Sequence, residues 1–148
     1  MHTETTPETK QVNFPIKGGD LETFDAPHAG PQSLVERFEI PEFTSLCPKT
    51  GQPDFANFII WFQPDKKCVE LKSLKQYFWG FRDVGAYHEK LTHDITGLLS
   101  SKLEPKWMLV EGNFWVRGGI HTVVFGAYGN VPEGLRTARL SKTDYKGY

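Results

Sequence analysis

Two strand-length stretches, residues 107–116 and 121–128, are separated by Arg117-Gly118-Gly119. Paired glycines between apolar, β-branched and aromatic runs are hairpin chemistry, because glycine takes up positive φ without a steric penalty. That hairpin commits the chain to an antiparallel sheet. Upstream, residues 55–62 read as a strand, Gln63-Pro64-Asp65-Lys66-Lys67 as a turn, and residues 68–71 as the returning strand of a second hairpin. Residues 34–47 alternate apolar and polar positions, with Val35, Phe38, Ile40 and Phe43 apolar. Pro41 inside that run has no N–H to give a ladder, which predicts an edge or bent strand. Leu74, Tyr77, Phe78 and Phe81 then recur at helical spacing, and a second helix is expected over residues 86–101, with Leu91, Ile95, Leu98 and Leu99 on one face and Pro105 beyond its end. The order strand, strand, two helices, strand, strand predicts an α+β domain: an antiparallel sheet with two helices on one face. So few strands do not close a barrel within one chain. The sheet edges need covering, and ring-like assembly through edge strands is one way to do it.

The 148 residues suit a single core. Residues 1–33, rich in Thr, Pro, Gly, Glu and Asp, read as a flexible N-terminal arm, residues 34–148 as the one folded domain, and the tail from Gly129 as irregular. Eleven Phe, five Tyr and four Trp favour strands, packed interfaces and pockets for planar ligands. A net charge of −1 gives no electrostatic grip on nucleic acid or on an anionic membrane. The longest apolar run, residues 58–62, is too short to span a bilayer, and the first residues lack the basic and apolar regions of a secretion signal. The expectation is a cytoplasmic protein. Two cysteines, Cys47 and Cys68, form no CxxC pair, and the five histidines show no zinc-finger spacing, so no metal site is expected.

The most informative loop is Cys47-Pro48-Lys49-Thr50-Gly51-Gln52-Pro53-Asp54. A free thiol has a pKa of about 8.5 and needs a neighbouring base or positive charge to become a nucleophile at neutral pH. Asp54 is spaced to take the thiol proton and return it to a substrate. The same residues also suit an inert buried thiol and a turn-capping carboxylate, and their spacing does not choose between these readings. Cys68, in an apolar strand, reads as a small core residue. Lys72 and Lys75, three apart where a strand passes into a helix, present a cationic pair to phosphate groups or simply a solvated helix face. Glu89, after His88 at the start of the second helix, suits either the planar N–H edge of a guanine-like ring or the helix dipole. Arg117-Gly118-Gly119 offers a guanidinium and open amides to an anion, or is no more than a turn. No GxGxxG follows a strand, so a Rossmann-type cofactor site is not expected.

In combination these stretches are more specific. Cys47-Pro48-Lys49-Thr50-Gly51-Gln52-Pro53-Asp54-Phe55, Glu70-Leu71-Lys72-Ser73-Leu74-Lys75, Phe81-Arg82-Asp83, His88-Glu89 and Arg117-Gly118-Gly119, in that order, resemble the QueF nitrile reductases, the 7-cyano-7-deazaguanine reductase family, in its short single-domain form. Gln76 stands where the family signature usually has Leu or Tyr. The resemblance implies a tunnelling fold (T-fold) whose subunits join edge to edge into an oligomeric barrel, as stacked pentameric rings with active sites between neighbours. It implies NADPH-dependent reduction of a nitrile to a primary amine in tRNA queuosine biosynthesis, through a covalent thioimide on Cys47 with Asp54 as proton donor. By the same resemblance Val69, Glu70, Leu71, His88 and Glu89 line the pocket for the small 7-deazapurine, and Lys72, Lys75 and Arg117 hold NADPH. Neither nucleic acid nor membrane is implied as a direct partner.

Overall fold

A computed structural model describes residues 21–27 and 30–143. They fold in the order β1 (Thr23–Asp25), β2 (Glu36–Leu46), β3 (Pro53–Gln63), β4 (Lys67–Val69), α1 (Leu71–Trp79), α2 (His88–Leu103), β5 (Trp107–Arg117), β6 (Ile120–Gly129) and α3 (Glu133–Leu140). Four strands form one antiparallel sheet in the order β2-β3-β5-β6, with the expected β5–β6 hairpin at one side. β2 is an edge strand whose register slips between Ile40 and Phe43, at the proline that removes a ladder donor.

The expected second hairpin does not form. β4 leaves β3 and pairs instead with β1, Phe24 lying opposite Cys68. The reason is that β3 is already hydrogen-bonded along both edges, to β2 and to β5, and has no ladder left to offer. β1 falls inside the segment expected to be an arm, and it is tied down there, with Leu21 and Ala26 buried on either side of it. The remainder of the expected arm, residues 1–20 and 28–29, lies outside the described residues, as do residues 144–148 of the tail.

Alternation along β3 sorts the core into two faces. Asp54, Ala56, Phe58, Ile60 and Phe62 point to the face covered by α1 and α2, where Phe43, Phe78, Leu91, Ile95, Leu99, Met108 and Phe114 complete the main cluster. Each large apolar side chain buried there contributes about 1.5–3 kcal/mol. Gly126 lets α2 close on β6, since a Cβ at that position would run into the Thr96 side chain. α1 starts on Glu70, whose carboxylate accepts both the Lys72 and the Ser73 N–H at 2.8 Å. α2 stops at Glu104, held at φ 46 ahead of Pro105.

Two helices on one face and an irregular tail beyond Gly129 were expected; α3 corrects the tail and adds a helix on the opposite face. Ile59, Trp61, Trp107 and Leu109 form a second cluster, against which Phe125, Val131 and Leu135 pack. Arg139 forks onto Glu111 at 2.8 and 2.9 Å and lies 4.9 Å from the centre of the Trp61 ring. Glu111 is 1% exposed, so removing Arg139 would strand a buried carboxylate at a cost of about 3–5 kcal/mol. No helix among the described residues is long and apolar enough to cross a membrane.

Candidate active site

The turn between β2 and β3 brings the two ends of the Cys47–Asp54 loop together. Ser45 is registered opposite Asp54 and Leu46 opposite Pro53. Cys47 N–H donates to Gln52 O and Gly51 N–H to Cys47 O, both at 2.8 Å, which curls the loop around the sulfur. Cys47 is 9% exposed, and the groups around it are donors. Its thiol pKa is lowered to about 6, first by the Thr50 hydroxyl, then by the Arg117 guanidinium, then by the Thr50 and Lys49 N–H groups; burial opposes them only weakly. A substantial thiolate population at neutral pH follows.

Asp54 lies on the helix-covered face, 2% exposed. Two cations or potential cations flank it. Arg117 Nη1 is 2.5 Å from Oδ1, close but off the line of a hydrogen bond, and His88 Nε2 is 3.4 Å from Oδ2. The His88 ring is stacked on Phe114, with centroids 3.7 Å apart and planes 6° apart, so a buried aromatic face fixes its direction. The turn after α1 zips onto the end of β2 through Leu46 N–H to Val84 O and Ala86 N–H to Leu46 O, which delivers the start of α2 to Asp54. Cys47, Asp54, His88 and Arg117 thus form one cluster, drawn from the β2–β3 loop, β3, α2 and β5.

A sequence profile described as "QueF-like protein" matches residues 53–133, a span holding Asp54, His88 and Arg117. The chain belongs to the QueF family. It is 50% identical over 116 residues, 78% of this chain and 94% of the relative, to a protein of Anaeromyxobacter dehalogenans (strain 2CP-C) named NADPH-dependent 7-cyano-7-deazaguanine reductase. A protein of Alkalilimnicola ehrlichii with the same name is 54% identical over 105 residues, 71% of this chain and 81% of the relative. The crystal structure of the archaeosine synthase QueF-Like in the apo form superposes with a TM-score of 0.59 over 70% of this chain and 99% of that one, at 18% identity, a likeness of fold alone.

In this QueF-family chain the other residues singled out from sequence lie apart from the cluster. Glu89, in the first turn of α2, is exposed and borders a groove between α2 and β6. Val69 is buried at the end of β4, Leu71 is exposed, and Glu70 spends its carboxylate on the start of α1, whose N–H groups hold it below the usual carboxylate range, Lys72 first and Ser73 next. Together with Phe24, Glu36, Arg37 and Phe38 these three line a cleft of about 550 Å³ at the Glu36 end of β2. Cys47 follows the other end, and from Phe38, the last β2 residue lining this cleft, to Cys47 is roughly 30 Å at about 3.3 Å per residue. Lys72 and Lys75 are exposed on α1. Lys75 also borders a cleft of about 280 Å³ floored by Phe38, Leu74 and Phe78, where Lys75 and Arg82 flank the Trp79 ring. Arg117, expected at the cofactor, is turned onto Cys47 and Asp54.

Two participants were not read from the sequence. Thr50, the principal donor to the thiol, was given no role of its own within the loop; its place two residues short of Gln52 in a loop closed on Cys47 was the available signal. Ser45 is fully buried opposite Asp54, with its hydroxyl unpartnered. Among the described residues, no three His, Cys, Asp or Glu side chains gather where they could hold a metal ion.

Proposed function

We propose that this chain reduces the nitrile of 7-cyano-7-deazaguanine to the primary amine of 7-aminomethyl-7-deazaguanine at the expense of NADPH, in tRNA queuosine biosynthesis. The observation that carries the reading is the convergence of Arg117 on both a donor-ringed Cys47 and a buried Asp54, in a chain about half identical to reductases of that name. A nitrile is linear and a poor hydride acceptor. Addition of the Cys47 sulfur forms a C–S bond, moves one π pair of the triple bond to nitrogen, and lets Asp54 deliver a proton there, leaving a neutral, trigonal thioimide. NADPH supplies hydride to carbon, about two equivalents per nitrile for a four-electron reduction. The chain's own part is to hold the carbon still, to return the proton, and to shield the imine from water.

The residues available fit such a dinucleotide. Lys72 and Lys75 offer cations for its phosphates beside a cleft with an apolar floor, and Lys75, Trp79 and Arg82 offer a flat cationic rim. Glu89 with His88 is the pair we assign to the deazaguanine ring, and Val69, Glu70 and Leu71 to the rest of the pocket. Those last three lie some 30 Å of β2 away from Cys47 in the same chain. The separation supports the assembled form of the tunnelling fold, with subunits joined through the β2 and β6 edges into stacked pentameric rings, and with each pocket completed by a neighbour. Two unbridged thiols suit a cytoplasmic setting.

The test mixes protein with 7-cyano-7-deazaguanine and follows intact mass and absorbance. The expected result is an adduct of substrate mass on Cys47, missing in Cys47→Ala, and oxidation of about two NADPH per nitrile. Asp54→Asn should bind the nitrile yet react at least about a hundredfold more slowly. Nitrile that binds without ever forming an adduct would sink the covalent route.

A further inference from the structure

Strict alternation along β5 sets up a conflict at its end. Phe114 faces the helix-covered side, and Trp115 stands on the other, 61% exposed against Phe55 with ring centroids 5.1 Å apart. Arg117, two residues on, belongs by that count with Trp115, away from Asp54. It does not lie there. Phe114 pairs with Thr122 and Arg117 with Ile120, so two β5 residues, Trp115 and Val116, stand against the single His121. An extra residue of this kind is a bulge, and bulges re-aim the side chain that follows. Gly118 and Gly119, at φ 55 and 76, then turn the chain back into β6 immediately behind it. The guanidinium is thereby swung onto the face of Asp54, within 2.5 Å of Oδ1, against a carboxylate that is 2% exposed while Arg117 itself remains 41% exposed.

We infer that Arg117 is a positioning residue of the reaction, which the β5 bulge turns inward to hold the Cys47 sulfur and the Asp54 carboxylate on one guanidinium. The inference rests on the nitrile-reductase reading and assigns Arg117 a task other than gripping a phosphate of NADPH. Its chemistry follows from charge balance. Addition needs the negative charge on sulfur and one proton shared within the Cys47–Asp54 pair. As the C–S bond forms, the proton passes to nitrogen, and the negative charge appears on the Asp54 carboxylate. A guanidinium stays protonated throughout and presents a planar fork of donors, so it neutralises the charge at both stations without moving between them. The titratable groups facing the pair are Asp54 from β3, Arg117 from β5, His88 from α2 on the second carboxylate oxygen, and Lys49 in the thiol's own loop, which gives its N–H.

The ultraviolet absorbance of the Cys47 thiolate, titrated on the full chain against Cys47→Ala as a blank, reads this directly. Cys68, with a pKa of about 11, stays out of the range. Arg117→Gln should move the thiolate midpoint up by about one pH unit, a tenfold loss of thiolate on the acid side. The KM for NADPH should stay within about twofold. Arg117→Lys keeps the charge but not the fork, and should shift the midpoint in the same direction by less. If Arg117→Gln does not fold, the lysine variant alone decides. A parental midpoint in the folded variant, with KM for NADPH raised about tenfold, would make Arg117 a cofactor anchor and overturn the inference. A parent protein that titrates as described but forms no nitrile adduct would instead defeat the functional reading and leave the Arg117 contact standing.

Discussion

The two thiols of this chain are both largely hidden, Cys47 at 9% and Cys68 at 2% exposure, and they have opposite chemistry. Cys47 is pushed down to about 6 by a ring of donors, Thr50 foremost and Arg117 next. Cys68 is pushed up to about 11, mainly because burial disfavours its charged form and secondarily by a hydrogen bond to the Glu36 carboxylate. What differs is the sign of the groups that meet the sulfur, N–H and O–H in one case and a carboxylate in the other. Burial by itself does not make a thiol inert. Distance separates the two as well: Cys68 adjoins Glu36 at the start of β2, while Cys47 follows its end, whereas a disulfide needs Cα atoms within about 7 Å. Both are free thiols, and an intrachain bridge would require unfolding the sheet between them.

Exchanging the thiols' fates is the harshest way to break the comparison. Cys47→Ala should lower nitrile turnover by roughly a thousandfold or more, and Cys68→Ala should leave it within about twofold. Equal losses in steady-state assays would mean that the two environments are not what sets function. The next effect is on pH. A thiol pKa lowered to about 6 means that thiolate is present above that value and is lost as pH falls through it. Adduct formation on Cys47 should therefore fall about tenfold per pH unit below 6 and level off above 7. Cys68 should remain unalkylated to pH 9 in mass-spectrometric mapping of the folded protein; a shared midpoint for both thiols would contradict the contrast. Thr50→Val removes the leading donor but leaves Arg117, and rapid-mixing measurements at pH 6 should find adduct formation slower by about three- to tenfold. The smallest effect is structural. Cys68→Ala should lower stability by about 1 kcal/mol, read as a shift of the denaturant midpoint without a change in slope.

Much of the fold was legible because it is local. The glycine pair after Arg117 announced the β5–β6 hairpin, the Leu74–Tyr77–Phe78–Phe81 spacing announced α1, and Pro41 announced a bent edge strand. What was hidden is long-range. Residues 63–67 carry good hairpin chemistry, yet β3 had no free edge, and that fact depends on β5, more than forty residues downstream. α3 has no fully buried residue of its own, and it docks through Leu135 and through an ion pair that spans from Arg139 back to Glu111. The site divides in the same way. Cys47 and Asp54 stood out as a loop pair, but Thr50 reaches the thiol through the curl of that loop, and Arg117 reaches Asp54 across a bulge that reverses the face its position would dictate. Alternation is a dependable guide until an extra residue interrupts it.

In the proposed ring, the roughly 30 Å of β2 between Glu70 and Cys47 would have a genetic consequence. If each pocket takes its sulfur from one subunit and its Glu70 from the next, as proposed, a chain defective in one half carries an intact copy of the other. Two alleles, Cys47→Ala and Glu70→Leu, each inactive alone, would then complement when expressed together. Random mixing would restore about a quarter of the pockets, since each must draw both good halves from the right parents.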